Sequence, residues 1–285
     1  MVSDTSQLPI DQIRSEYLTA CNRPCLIKAS TGSGKSTRIP IWLIEEEIPF
    51  ILVEPRRVVV RSLYEYLKPM CGGRLSYQVR FDSHFSQNSK AIIVTPGIFL
   101  NYLQSGFPFE PELILIDEVH ERGREIDFAL AVLKERKVQS VTLLSATLDE
   151  KDFNDYLNFK TFQLEQAKYK IDLIYSEHSL LPSFAYLEEQ IRKNLQIHSY
   201  YSALVFLPGK SEIYRVKNYL SNWECPVFCM HGGVSLEDQR EILDHPGPKV
   251  ILSTNLLRSI FILSTVSNPL VSVNIWFGAL IPNIE

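Results

Sequence analysis

Residues 24–37 read PCLIKASTGSGKST, an apolar run that breaks into a glycine-containing loop ending in lysine, serine and threonine. A short apolar run suits a strand buried in a parallel sheet. The loop after it fits the phosphate-binding pattern G-x-x-x-x-G-K-[ST] at every position but the first, where Ala29 stands. Chemistry accounts for the residue types. Gly32 and Gly34 let backbone N–H groups approach phosphate oxygens, the Lys35 ammonium reaches the β and γ oxygens, and the Ser36 hydroxyl ligates magnesium. With Thr31, Ser33 and Thr37, these residues make 31–37 the expected nucleotide-binding stretch. Strand, loop and helix in that order predict an α/β fold with its ligand at the carboxyl edge of a parallel sheet. Pro40 falls early in the expected helix, where it should kink or shorten it.

The same architecture recurs outward from this loop. FILVEP (50–55), AIIVTP (91–96), LILIDE (113–118) and VTLLSAT (141–147) are apolar runs separated by helical stretches, a pattern of βαβ units. It weakens through a polar stretch after residue 150 and resumes with ALVFLP (203–208), CPVFCM (225–230) and KVILST (249–254). Two α/β domains are therefore expected, 1–170 and 171–285, the second shorter than a full unit. The run at 113–124, LILIDEVHERGR, ends abruptly in two carboxylates, with His120 close behind. By itself this could be a strand ending in a solvated turn. Downstream of a phosphate loop, Asp117 becomes the acid that holds magnesium, and Glu118 the base that orients the water attacking the γ-phosphate.

Composition bounds the alternatives. The 285 residues, 45% of them hydrophobic, are enough for roughly two cores. A formal net charge of −4 argues against a generally basic coat for nucleic acid, while leaving room for a local basic groove. The start MVSDTSQLP has neither a basic nor an apolar leader segment, so an intracellular, cytoplasmic setting is expected. Five scattered cysteines suit a reducing compartment. Cys21 and Cys25, and Cys225 and Cys229 near His231, lack the usual C-x2-C spacing of zinc sites and read as core thiols, the latter pair on one strand.

Several further motifs stand in order along the chain: EPRRVVVRSL (54–63), QVRFD (78–82), VTPGIFLNYL (94–103), LLSATLD (143–149), LVFLPGKSEI (204–213), MHGGVSLEDQ (230–239) and ILSTNLLRS (251–259). Together with TGSGKST and DEVHER, over residues 7–260, they resemble the DEAH-box and related DExH helicases of superfamily 2, including their viral relatives. The resemblance implies two RecA-like parallel-sheet domains in tandem, ATP and magnesium as cofactors, and a single-stranded or partly duplex RNA as partner, in preference to DNA. Catalysis would fall to Lys35, Asp117, Glu118 and His120, with Ser36 and Asp117 on the metal. Pro55, Arg56, Arg57, Thr95, Pro96, Gly97, Pro208, Gly209 and Thr254 match positions that grip the sugar-phosphate backbone, a task suited to guanidiniums, hydroxyls and backbone amides. Ser145, Ala146 and Thr147 match the motif that couples nucleotide state to domain closure, and His120 would link the acidic motif to the second domain.

The resemblance implies an ATP-dependent RNA helicase in which a strand lying across both domains is gripped and released with the nucleotide cycle. It has departures. Leu257 and Arg258 replace the usual alanine and glutamate, and the last 27 residues, which contain no Lys or Arg, hold no match to the arginine motif that reaches the γ-phosphate. Slow turnover and poor unwinding are therefore expected. A catalytically impaired, ATP-gated RNA-binding module is one alternative, and a phosphate-loop ATPase acting on protein or a small molecule is another. The uncharged tail contains Asn268, Pro269 and Asn274, so it reads as a core strand and not as a membrane span.

Overall fold

The apolar runs become strands because an uninterrupted hydrophobic segment is stable only when both faces of the sheet are covered. In the computed structural model, which describes residues 8–30, 33–146, 158–164, 184–197, 203–235, 238–239, 241–242, 245–254 and 273–276, the chain divides into two units, Met1–Lys170 and Ile171–Glu285.

In the first unit, β1 (Cys25–Ala29), β2 (Phe50–Val53), β5 (Ala91–Val94), β6 (Leu113–Ile116) and β7 (Val141–Ser145) coincide with the five apolar runs, and four of these strands are buried along their whole length. Three strands were not among them: β3 (Leu75–Val79), β4 (Asp82–His84) and β8 (Lys160–Leu164). They lie toward or at the sheet edges, in the order β4-β3-β5-β2-β6-β7-β1-β8. Edge strands bury less, and β8 buries only Phe162 fully, so its sequence KTFQL carries no continuous apolar signal. All neighbours pair in parallel except β3 with β4.

Helices supply the crossovers: α1 (Arg14–Ala20) leads into β1, α2 (Lys35–Glu45) follows it, and α3 (Arg57–Leu67), α4 (Pro96–Ser105) and α5 (Arg124–Glu135) follow β2, β5 and β6. Pro40 sits inside α2, which continues past it to Glu45. The periodicity of α5 shows why it packs on the sheet: Ile126, Ala129, Leu130 and Leu133, at i, i+3, i+4 and i+7, are its buried positions. They join Val53, Val94, Ile116 and Leu143 in one core cluster, where each buried aliphatic side chain contributes about 1.5–3 kcal/mol.

The second unit holds α6 (Phe184–Ile197), β9 (Ala203–Phe206), α7 (Lys210–Tyr219), β10 (Val227–Met230), β11 (Val250–Ser253) and β12 (Val273–Trp276). Its four strands run parallel in the order β10-β11-β9-β12, so part of the uncharged tail is a strand beside β9. Cys225 precedes β10 while Cys229 lies within it, which corrects the expectation that the two share one strand. Both pack against the core of Val205, Ile213 and Leu252, and all five cysteines are free thiols. Among the described residues no helix is long and apolar enough to cross a membrane.

Candidate functional site

Parallel pairing in register delivers the carboxyl ends of all the strands of the first unit's sheet, antiparallel β4 excepted, to one edge. In the first unit Lys28 pairs with Ser145, Ile116 with Leu143, and Val53 with both Ile116 and Val94. The residues just beyond these positions therefore meet: the phosphate loop after β1, Ala146 after β7, Asp117 and Glu118 after β6, Glu54 to Arg57 after β2, and Thr95 to Gly97 after β5. Two backbone bonds extend the pairing past the strands. The Asp117 N–H donates to the Val53 carbonyl and the Glu54 N–H to the Val94 carbonyl, both at 2.9 Å.

The phosphate loop turns on Gly34, whose φ of 94° places it at the left-handed N-cap of α2. A Cβ there would lie 2.6 Å from Leu8 Cδ1 and 3.1 Å from Ile10 Cγ2, so the left-handed backbone favours glycine and any added side chain would have to displace the end of Leu8. The Leu8–Ile13 segment straps this loop. Ile10 N–H donates to the Ser33 carbonyl at 3.2 Å, and Arg38 Nε of α2 lies 3.5 Å from Asp11 Oδ1. Lys35 is only 3% exposed, so its ammonium is held out of bulk water at the site. Ser33 Oγ is buried with no hydrogen-bond partner among the described residues, whereas the Thr37 hydroxyl donates to the Gly34 carbonyl at 3.2 Å. Thr31 and Gly32 lie outside the described residues, as do Thr147, Leu257 and Arg258.

The acids stand opposite this loop in the sheet. Asp117 is buried; its Oδ1 accepts the Glu118 N–H at 2.8 Å, and its Oδ2 has no partner among the described residues. An orphaned, buried carboxylate oxygen is costly unless a cation or donor completes it. Glu118 adopts φ 51°, unusual for a non-glycine residue, and opens a short 3-10 turn, Val119–Glu121, closed by Arg122 at φ 46°. Burial, then the negative charge of Asp117, pushes the Glu118 carboxyl up to about 7, with the Lys35 ammonium pulling the other way. His120 bridges two motifs: its Nε2 is 3.3 Å from Glu118 Oε2 and its Nδ1 is 3.3 Å from Ser145 Oγ. Burial lowers the His120 pKa. A neutral ring that donates from Nε2 to the carboxylate and accepts at Nδ1 from the Ser145 hydroxyl satisfies both contacts.

Glu54 was not among the sequence candidates. It is 1% exposed, and its Oε1 accepts the Arg56 N–H at 3.0 Å. Burial first, and then the charge of Asp117 on the neighbouring strand, raises its pKa well above the carboxylate range. The signal was present: like Asp117, Glu54 is an acid that directly ends a fully apolar strand.

The positions assigned to nucleic acid are dispersed more widely. Arg56 pairs through its guanidinium with the Glu121 carboxylate, Arg57 donates to the Arg80 carbonyl, and Pro55 is half-buried. Thr95 stands at the N-cap position of α4, followed by buried Pro96 and exposed Gly97. In the second unit Pro208 and Gly209 follow β9 and Thr254 follows β11; these strand ends are adjacent, with the Leu207 N–H donating to the Ser253 carbonyl at 2.7 Å. His231 follows β10 at the same edge, fixed by Tyr214 Oη at 3.0 Å from its Nε2 and by the Gly233 N–H donating to its Nδ1 at 3.1 Å.

A profile of the DEAD/DEAH box helicase family matches residues 11–156. The ATP-dependent RNA helicase TDRD9 of Danio rerio is 29% identical over 321 residues, an alignment covering 88% of this chain and 24% of that protein. The ATP-dependent RNA helicase HrpB of Escherichia coli strain K12 is 30% identical over 284 residues, covering 88% of this chain and 34% of that protein. The crystal structure of the Escherichia coli DEAH/RHA helicase HrpB matches with a TM-score of 0.75 at 28% identity, over 88% of this chain and 35% of that one. The chain thus spans between about a quarter and a third of the length of these relatives.

Proposed function

Because the chain belongs to the DEAD/DEAH box helicase family, we propose that it binds and hydrolyses ATP at the carboxyl edge of its eight-stranded sheet and couples that cycle to gripping single-stranded RNA. The observation that carries this reading is the convergence of buried Lys35 with the buried pair Asp117 and Glu118, one carboxylate oxygen of which has no partner among the described residues. An ammonium, free backbone amides at a helix N-terminus and paired acids are what a triphosphate and its hydrolysis require.

Lys35 neutralises charge on the β and γ oxygens, and the Gly34 conformation keeps side chains away from the phosphates. Ser36 and Asp117, both oxygen donors, would hold a magnesium ion, which when bound supplies charge neutralisation at the phosphates. Glu118 accepts the proton of the attacking water, giving ADP and phosphate. A carboxyl titrating near neutrality is a stronger base than an ordinary one while remaining ionised often enough to act. His120 holds the Glu118 carboxylate by Nε2 and ties it to the end of β7 through Ser145. Arg56, Arg57, Thr95 and Gly97 offer groups suited to phosphate and indifferent to base identity, so a sequence-independent RNA grip is the substrate reading.

The test is ATP hydrolysis by the purified chain with magnesium, with and without single-stranded RNA. RNA-stimulated hydrolysis supports the reading, nucleotide binding without hydrolysis reduces it to a gated binding module, and the absence of ATP binding defeats it.

A further inference from the structure

Arg56 has a partner in the structure and a different one in the function proposed for it. In the reading above, its guanidinium grips an RNA phosphate. In the structure it is paired with Glu121, with side chains 20% and 32% exposed. Its backbone is fixed at the same time, because the Arg56 N–H donates to buried Glu54 at 3.0 Å. The guanidinium can therefore change partner without the turn after β2 moving.

Glu121 sits differently. It is the last residue of the three-residue turn Val119–Glu121, whose flanking residues, Glu118 and Arg122, both hold left-handed backbone conformations. Such conformations cost on the order of 1–3 kcal/mol each and persist only where surrounding contacts enforce them. The same turn carries Glu118, the proposed base, and His120, which contacts both Glu118 and Ser145. Arg56 to Glu121 is a tie from this turn to the loop after β2.

We infer that Glu121 is a positioning residue that competes with the RNA backbone for Arg56, so that a bound phosphate releases the turn on which the hydrolytic carboxylate sits. The inference rests on the assignment of Arg56 to RNA. A phosphate and the Glu121 carboxylate are both anions suited to a guanidinium fork, and one fork cannot engage both fully. RNA binding and the geometry of Glu118 are linked through that exchange, and the linkage is reciprocal.

The test uses the full 285-residue chain and a fluorescein-labelled oligouridylate of about 12 nucleotides, a length within ordinary single-strand site sizes. Binding is followed by anisotropy across a salt series, for the parent, Glu121→Gln, Arg56→Ala and the double variant. Glu121→Gln should bind RNA about two- to five-fold more tightly, the range set by a partly exposed ion pair. In the Arg56→Ala background the same substitution should change nothing, because the competitor has no target. RNA should also stimulate ATP hydrolysis by a smaller factor in Glu121→Gln than in the parent. Unchanged or weaker binding by Glu121→Gln, or an equal gain in the Arg56→Ala background, would overturn the inference while leaving the helicase reading intact. A parent chain that binds ATP but no RNA would overturn the RNA assignment and this inference with it.

Discussion

Ser145 Oγ lies 3.3 Å from His120 Nδ1, joining the end of β7 to the turn after β6 by way of two side chains. Ser145 is fully buried, so losing its hydroxyl exposes the ring to no compensating water. Ser145→Ala should leave ATP affinity in place and slow hydrolysis roughly tenfold, the equivalent of one net hydrogen bond at the site. Equilibrium binding of a fluorescent ATP analogue, read beside phosphate release, separates the two effects.

Lys35→Ala removes the only side-chain ammonium assigned to the phosphates and should abolish measurable nucleotide binding. Glu118→Gln keeps the shape of its side chain but not its basicity. It should retain binding and lose about 10²- to 10⁴-fold in hydrolysis, the usual contribution of a general base. Titration calorimetry with ATP and magnesium checks both variants.

Gly34→Ala tests the strap on the phosphate loop. The added methyl would meet Leu8 and Ile10 at 2.6 and 3.1 Å, on a backbone with φ of 94°. Strain of about 1–3 kcal/mol is expected, seen as a lower melting temperature together with lost ATP binding. The additional truncation Leu8→Ala should recover part of the stability, since it removes the nearer clash.

Glu118 also sets a pH dependence. Its folded pKa of about 7 lies above its ordinary value of 4.5, so the folded state binds this proton more tightly than the unfolded one. Stability from this group is therefore present at acid pH and lost as pH rises through about 7. In EDTA and without nucleotide, the parent should lose stability relative to Glu118→Gln between about pH 5 and pH 8, by an amount on the order of 2–3 kcal/mol. Parallel melting curves for the two proteins across that range would contradict the burial of this carboxylate beside Asp117.

Burial likewise pushes the Cys25 thiol up to about 12 and the Cys71 thiol up to about 11. Thiolates are the reactive form, so alkylation of the native chain at mildly alkaline pH should reach half-exposed Cys225 and Cys229 before Cys25 and Cys71. Peptide mapping of the labelled sites reads this order directly.

How much of this was legible in the sequence follows from what each signal depends on. The central strands were visible because burial on both faces leaves a continuous apolar run, as in FILV and LILI. Strands β4 and β8 were not, because edge positions need less apolar surface and KTFQL mixes both kinds; β3 lies inside the sheet between β4 and β5, but its buried Ser76 interrupts the apolar run of LSYQV. Lys35, Asp117, Glu118 and Ser145 were legible as residue types at fixed distances from strand ends, and parallel register gathers them at one edge. Glu54 ends its strand in the same way as Asp117, but an acid in that place without motif chemistry of its own has no signal to mark it as functional. The pairing of Arg56 with Glu121 joins residues 65 positions apart, and the contact of His120 with Ser145 spans 25. Such contacts belong to the folded chain and have no local pattern to read.

The central claim is that Glu118 is the base of an RNA-responsive ATPase, and the most direct test is phosphate release from ATP with magnesium by the parent and Glu118→Gln, each with and without oligouridylate. The parent should hydrolyse ATP, more quickly when RNA is bound, while Glu118→Gln binds ATP with similar affinity and releases almost no phosphate under either condition. Equal rates for the two proteins, or a parent rate indifferent to RNA, would contradict it.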